Sequence, residues 1–154
     1  MSLAPGRAPA VLAALALGGC TAGDDPVLPA DCLQGEGALE EALAGAPGPV
    51  RLPGGTPISI CVELATSTAD LQNVGVLVVG VAEGLEEQAA QGDEAAAARL
   101  GYLVGAVQRG AERTNGTQLE LAFRLSRVAG ALGDPSPQIT GALNDGIAAG
   151  ERTG

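Results

Sequence analysis

The chain has 154 residues, enough for one domain, with 18 acidic residues, 8 Arg, no Lys and no His, and a net charge of −10. That charge repels nucleic acid and anionic lipid over most of the surface. The missing His and Lys remove the usual general base, the commonest metal ligand and the Schiff-base amine, so no catalytic residue, metal or cofactor is expected.

The first element is "MSLAPGRAPAVLAALALGGC", residues 1–20. Arg7 and the amino terminus supply positive charge, Val11 to Leu17 is a short apolar run, and Leu17-Gly18-Gly19-Cys20 closes it, the parts of a secretory signal. The ending resembles the lipobox of bacterial lipoprotein precursors, with Leu at the third position before the cysteine and small residues between. The resemblance implies cleavage before Cys20, lipid on the Cys20 sulfur, and a protein exported and anchored to the outer face of the membrane. Residues 1–19 then form the signal peptide and residues 20–31 a lipidated tether. Two other small-residue cleavage candidates, Ala8 to Ala10 and Ala14 to Ala16, lie before or inside the apolar run. A lipid is needed for such anchoring because the longest apolar stretch beyond the signal, Val74 to Ala82, has nine residues, whereas a spanning helix needs about 20. No family resemblance extends past this signal.

With Cys20 assigned to lipid, Cys32 and Cys61 remain, and an even remainder in an exported chain reads as one disulfide. Two reduced thiols in a cytosolic protein are the alternative; no C-x-x-C motif is present. The disulfide closes a loop-rich N-terminal segment, residues 32–66. Within it Glu36 to Ala44 reads as a short helix through Leu39 and Leu43, and Gly45 to Pro57, with four Pro and four Gly, as a loop. Ile58 to Leu64, "ISICVEL", has strand-favouring residues and reads as extended.

From residue 67 to 150 the pattern is helical and predicts a mainly α fold, a small antiparallel four-helix bundle with short loops. Ser67-x-x-Asp70 opens the first long helix, whose stripe is Leu71, Val74, Leu77, Val78, Val81 and Leu85, running to about Gln91. The second runs from Glu94 to Arg113 with Leu100, Leu103, Val104 and Val107 on one side. Thr117-x-x-Glu120 opens a third that reaches Leu132, with a Leu121, Leu125, Val128 and Leu132 stripe. Ser136-Pro137 starts a fourth, with Ile139, Leu143 and Ile147, ending at Gly150. The pattern G-x-L-V-x-x-V-x-x-G occurs twice, at Gly75 to Gly84 and Gly101 to Gly110. It predicts a packed seam in which Leu77, Val78 and Val81 meet Leu103, Val104 and Val107. The G-x-x-x-G spacings at Gly80–Gly84 and Gly101–Gly105 carry little weight without a membrane span.

Arg99, Tyr102, Arg109 and Arg113 fall together on the side of the second helix away from its Leu/Val stripe, and read either as a solvated face with weak ion pairs to the neighbouring helix or as a docking patch for an anionic protein partner. Leu119 and Phe123 fall off the main stripe of their helix. They are expected to pack on the N-terminal segment, the alternative being an exposed apolar spot for a partner. Val76 and Val79 fall on the polar side of theirs, which suggests a helix central in the bundle. The acids Glu83, Glu86, Glu87, Asp93 and Glu94 lack the loop pattern of a calcium site. The expected function is therefore a non-enzymatic binding or scaffolding domain on a membrane-anchored lipoprotein. One alternative is a carrier holding a small apolar ligand between the Gly-containing helices; another is a carboxylate-based hydrolase. The oligomeric state is not readable from the sequence.

Overall fold

The computed structural model of the chain describes Met1, residues 27–114, Gly116 and residues 118–154. The lipobox Leu17-Gly18-Gly19-Cys20 and the Thr117 cap lie outside the described residues. A short 3-10 turn, Ala30–Leu33, leads into six α-helices: α1 Glu36–Leu43, α2 Ile58–Leu64, α3 Thr68–Ala90, α4 Glu94–Glu112, α5 Leu119–Gly130 and α6 Pro137–Thr153. No strand occurs among the described residues.

Local chemistry explains where the long helices begin. The Ser67 hydroxyl accepts from the Asp70 amide at 3.0 Å, which caps the helix, and donates to the Asp70 carboxylate at 2.7 Å, so the shorter Asp meets the Ser67 side chain where the Glu of a capping box would reach the backbone. One Asp93 carboxylate oxygen accepts from the Ala95 and Ala96 amides at 2.8 and 3.1 Å and opens α4. Between them Gly92, at φ +97°, turns the chain. Pro137 fills the first turn of α6 after the Ser136 cap.

The Ile58 to Leu64 stretch corrects the extended reading, for it is the helix α2. Ile58, Cys61, Val62 and Ala65 are all buried, and they recur at i, i+3, i+4 and i+7. Burying that one face outweighs the modest preference of Ile and Val for strands. Cys61 is thereby turned inward and bonded to Cys32, and the bridge fastens the chain before α1 to α2. Asp31 secures the intervening loop: its carboxylate accepts from the Thr56 hydroxyl at 2.9 Å and the Thr56 amide at 3.3 Å. One apolar cluster runs from Cys32 through Ala149, so the N-terminal segment and the long helices share a core.

The central helix is α4, not α3. It touches α1, α2, α3, α5 and α6, and residues 100–107 are all buried. A helix buried on every side has to be covered on every side. Its tightest neighbour is α6. A Cβ at Gly101 would lie 2.9 Å from the Ile147 nitrogen and closer still to the Leu143 carbonyl oxygen. At Gly105 it would lie 2.9 Å from the Glu151 nitrogen, and nearer the Ile147 oxygen. From the other side, Gly146 and Gly150 press in the same way on the backbone of Ala98, Tyr102 and Ala106. Contacts advance by four residues on both helices together, so α4 and α6 run parallel. The expected bundle of consecutive antiparallel neighbours does not describe this pair, and the consecutive helices α5 and α6 make little contact.

The end of α6 is held by groups from three directions. The Arg109 guanidinium donates to the Glu151 carbonyl at 2.9 Å and to that of Arg152, and Arg51 donates to the Thr153 carbonyl at 2.8 Å. Cations at this end also complement the helix dipole. The Tyr102 hydroxyl accepts from the Val50 amide at 3.2 Å and lies 2.9 Å from the Thr153 hydroxyl, which itself donates to the Ala149 carbonyl. Tyr102 therefore donates to Thr153 and links the loop before α2 to the last turn of α6. Tyr102→Phe is expected to destabilise the fold by about 1–2 kcal/mol, because the buried Val50 amide loses its partner. Urea denaturation checks this, and an unchanged midpoint would remove the strut.

Candidate binding groove between α3 and α5

The predicted α3–α4 seam is packed. Val78, Val81, Leu103, Val104 and Val107 are each at most 2% exposed and belong to the common core. Leu77 turns aside from it, toward a cavity of about 30 Å3 beside the disulfide. That space is the size of a single water. The two copies of the repeated decapeptide serve different ends. In the second, Gly101 and Gly105 meet α6 and Gly110 meets α2. In the first, Gly75 and Gly80 line a groove on the far side of α3, and a Cβ at Gly84 would meet nothing.

That groove has a volume of about 900 Å3 and lies open along one side. Its floor is α3, from Leu71 to Glu83; Glu36 at the start of α1 forms one wall, and Glu120, Leu121 and Arg124 of α5 the other. Small floor residues bring the walls close. A Cβ at Gly75 would rest 3.8 Å from Leu121, and at Gly80 it would strike the Glu36 carboxylate. Val76 and Val79 supply apolar floor, and Val76 is 69% exposed. Three carboxylates, those of Glu36, Glu83 and Glu120, face one cation, Arg124, which already pairs with Glu120 at 3.0 Å. Among the described residues no three Cys, Asp or Glu gather as a metal-ligand set.

No family model matches the chain, and no curated protein or solved structure matches it. The groove is therefore read from its own chemistry.

The structure redistributes the residues singled out by the sequence. The Arg99, Tyr102, Arg109 and Arg113 face of α4 is an interface, but its partner is this chain. Tyr102 is fully buried under α6, Arg109 holds the end of α6, and Arg113 pairs with Glu63 of α2 at 3.2 Å. Arg99 is half-buried. The physical reason is that Gly146 and Gly150 have no side chains to hold α6 away from that face. Leu119 and Phe123 do not pack on the N-terminal segment; they are 53% and 60% exposed on the outward side of α5. Val76 likewise points to solvent, so a second apolar face on α3 marks the groove and not a central helix. The sequence signal for the groove was this out-of-register pair, Val76 and Val79, flanked by glycines.

Proposed function

We propose that this protein is an exported lipoprotein, held at the outer face of the membrane by lipid on Cys20, whose helical domain is a non-catalytic binding module. The observation that carries the binding reading is the open α3–α5 groove, an apolar floor left uncovered on a domain whose core is otherwise packed. Support for export and anchoring comes from the lipobox-like Leu17-Gly18-Gly19-Cys20 and from the cysteine partition. The Cys32–Cys61 bridge suits an oxidising compartment and leaves Cys20 as the cysteine outside it. Among the described residues no helix is long and apolar enough to cross a membrane, so a lipid would supply the attachment. The segment between Cys20 and Val27 would then be the tether, because Leu28 already packs on the core and Asp31 is bonded to Thr56, and the four long helices act as the scaffold.

A carrier of a small apolar ligand is the second reading, favoured by the Gly75, Val76, Val79 and Gly80 floor. It moves the ligand from between α3 and α4, where the seam is filled, to between α3 and α5.

The anchoring half is tested by the intact mass of protein extracted from membranes. The expected result is a chain beginning at Cys20, carrying diacylglycerol, and lighter by two hydrogens than the dithiol form. An unmodified chain with its first nineteen residues in place would defeat it.

A further inference from the structure

Resting on the binding reading above, we infer that the α3–α5 groove takes a cationic amphipathic helix of about three turns from a protein partner. The first argument is shape. The floor runs along α3 from Leu71 to Glu83, about 18 Å at 1.5 Å per residue. A trough of that length, open along one side, buries one face of a helix and leaves a small ligand half in water. The second argument is chemistry. Val76, 69% exposed, and the half-buried Val79 beside it present apolar surface to a partner's apolar stripe. Gly75 lets the Leu121 wall sit close against α3, a Cβ there resting 3.8 Å from it, and so gives the trough a firm side next to Val76 and Val79.

The third argument is charge. Glu36, Glu83 and Glu120 rim the groove, and its one cation is already engaged by Glu120. An apolar strip between carboxylates complements a helix whose Leu-type face is flanked by Lys or Arg. A second copy of this chain meets that requirement poorly: its exposed apolar pair, Leu119 and Phe123, lies on a helix that also carries Glu120, on a chain of net charge −10.

The test uses the full chain with Cys20→Ser, which removes the proposed lipid site. The probe is a fluorescein-labelled, 14-residue-long amphipathic peptide of Leu and Lys, read by fluorescence anisotropy. Its comparators are a Leu/Glu peptide of the same pattern and a Leu/Lys peptide of scrambled order. Val76→Glu is the deciding variant. It lies on an exposed position, so folding is unaffected, and it adds an acid while blocking the floor. Attraction to an acidic surface alone would tighten binding; occupation of the groove predicts weakening by roughly tenfold or more. The variant E36Q/E83Q/E120Q is expected to weaken binding by about tenfold, and E41Q/E94Q/E112Q, with the same charge change elsewhere, by less than about twofold. Equal effects of the two triple variants, unchanged or tighter binding by Val76→Glu, or equal binding of either comparator peptide would each overturn the inference. The neutral apolar dye N-phenyl-1-naphthylamine separates this inference from the reading beneath it. If Val76→Glu abolishes dye binding but not peptide binding, the helix inference falls and the groove remains a binding site for small apolar ligands. If neither probe responds to Val76→Glu, both fall.

Discussion

Gly101→Ala with Gly105→Ala is expected to lower the midpoint of thermal unfolding by roughly 15 °C. The usual expectation has the opposite sign, since Ala in a helix interior is favoured over Gly by about 1 kcal/mol. Here each added methyl would meet backbone, not a side chain that could rotate away: Leu143 and Ile147 for one, Ile147 and Glu151 for the other. Relief requires α6 to move off α4, which breaks packing along the most extensive helix pair in the molecule. Overpacking of this kind costs about 1–3 kcal/mol per site, and more where the obstruction is rigid, so a net loss of about 2 kcal/mol at each remains after the propensity gain. Because both sites press on Ile147, their effects need not add. Gly84→Ala with Gly141→Ala is the matched control: both are helical glycines whose Cβ would meet nothing within 4 Å. There the propensity term acts alone, and the midpoint should rise by a few degrees, about 0.5–1 kcal/mol for each site. Melting curves followed by circular dichroism decide it. If the first pair stabilises as the second does, the close parallel approach of α4 and α6 is wrong.

The second large effect is expected from removing the disulfide. Cys32 and Cys61 are 29 residues apart. Closing a loop of that length reduces the entropy of the unfolded chain by an amount equivalent to about 3–4 kcal/mol. A domain of this size has about 5–15 kcal/mol in all, so Cys32→Ala with Cys61→Ala takes a large share of it. Without the bridge, the loop of four Pro and four Gly between α1 and α2 is held by the Asp31–Thr56, Tyr102–Val50 and Arg51–Thr153 hydrogen bonds and by burial of Val50 and Leu52. The double variant should show a lower urea midpoint and should keep most of its helical signal, because α3, α4 and α6 carry their own caps and all four long helices their own apolar stripes. Both sulfurs are buried, at 6% and 3% exposure. Dithiothreitol alone should therefore leave the native bond intact on the timescale in which it reduces the bond in urea. A loss below about 1 kcal/mol would mean that the closed loop is already restricted in the unfolded chain.

Much of the helical content was legible in local chemistry. Ser67 with Asp70 and Ser136 before Pro137 are caps that act within one turn, and they locate the starts of α3 and α6 to within a residue of where they lie, while the cap that Asp93 gives α4 came only with the structure. The Leu39 and Leu43 pair located α1, and both leucines are buried. The cysteine pairing was legible for a different reason: a count of three with one assigned to lipid leaves a single partner for each of the others. The helix α2 was missed because seven residues rich in Ile, Val and Cys satisfy a strand and a buried helix about equally well. Only the i, i+3, i+4, i+7 recurrence through Ala65 distinguished them.

The harder failure concerned which side of α4 faces water. Its Leu and Val stripe was read correctly as buried, and the opposite face, with three Arg and a Tyr, was read as free. That inference holds when helices meet through large side chains. It fails when they meet through glycine, because backbone contact leaves no apolar stripe to read, and the matching signal lies forty residues away at Gly146 and Gly150. The groove was hidden for the same kind of reason, since its walls come from α1 and α5 and its floor from α3.

The sequence by itself determined α1 and the four long helices, the Ser67 and Ser136 caps, the bridge and the composition that sets the charge, because each depends on neighbours within a turn or on a count. Only the tertiary structure decided that α6 lies parallel on α4 and covers the arginine face, and that Val76 and Val79 are left as an open floor. The first outcome is set by the absence of side chains at Gly101, Gly105, Gly146 and Gly150, whose G-x-x-x-G spacing is local and was given little weight, but whose matching surface is not; the second depends on where α1 and α5 come to rest beside α3.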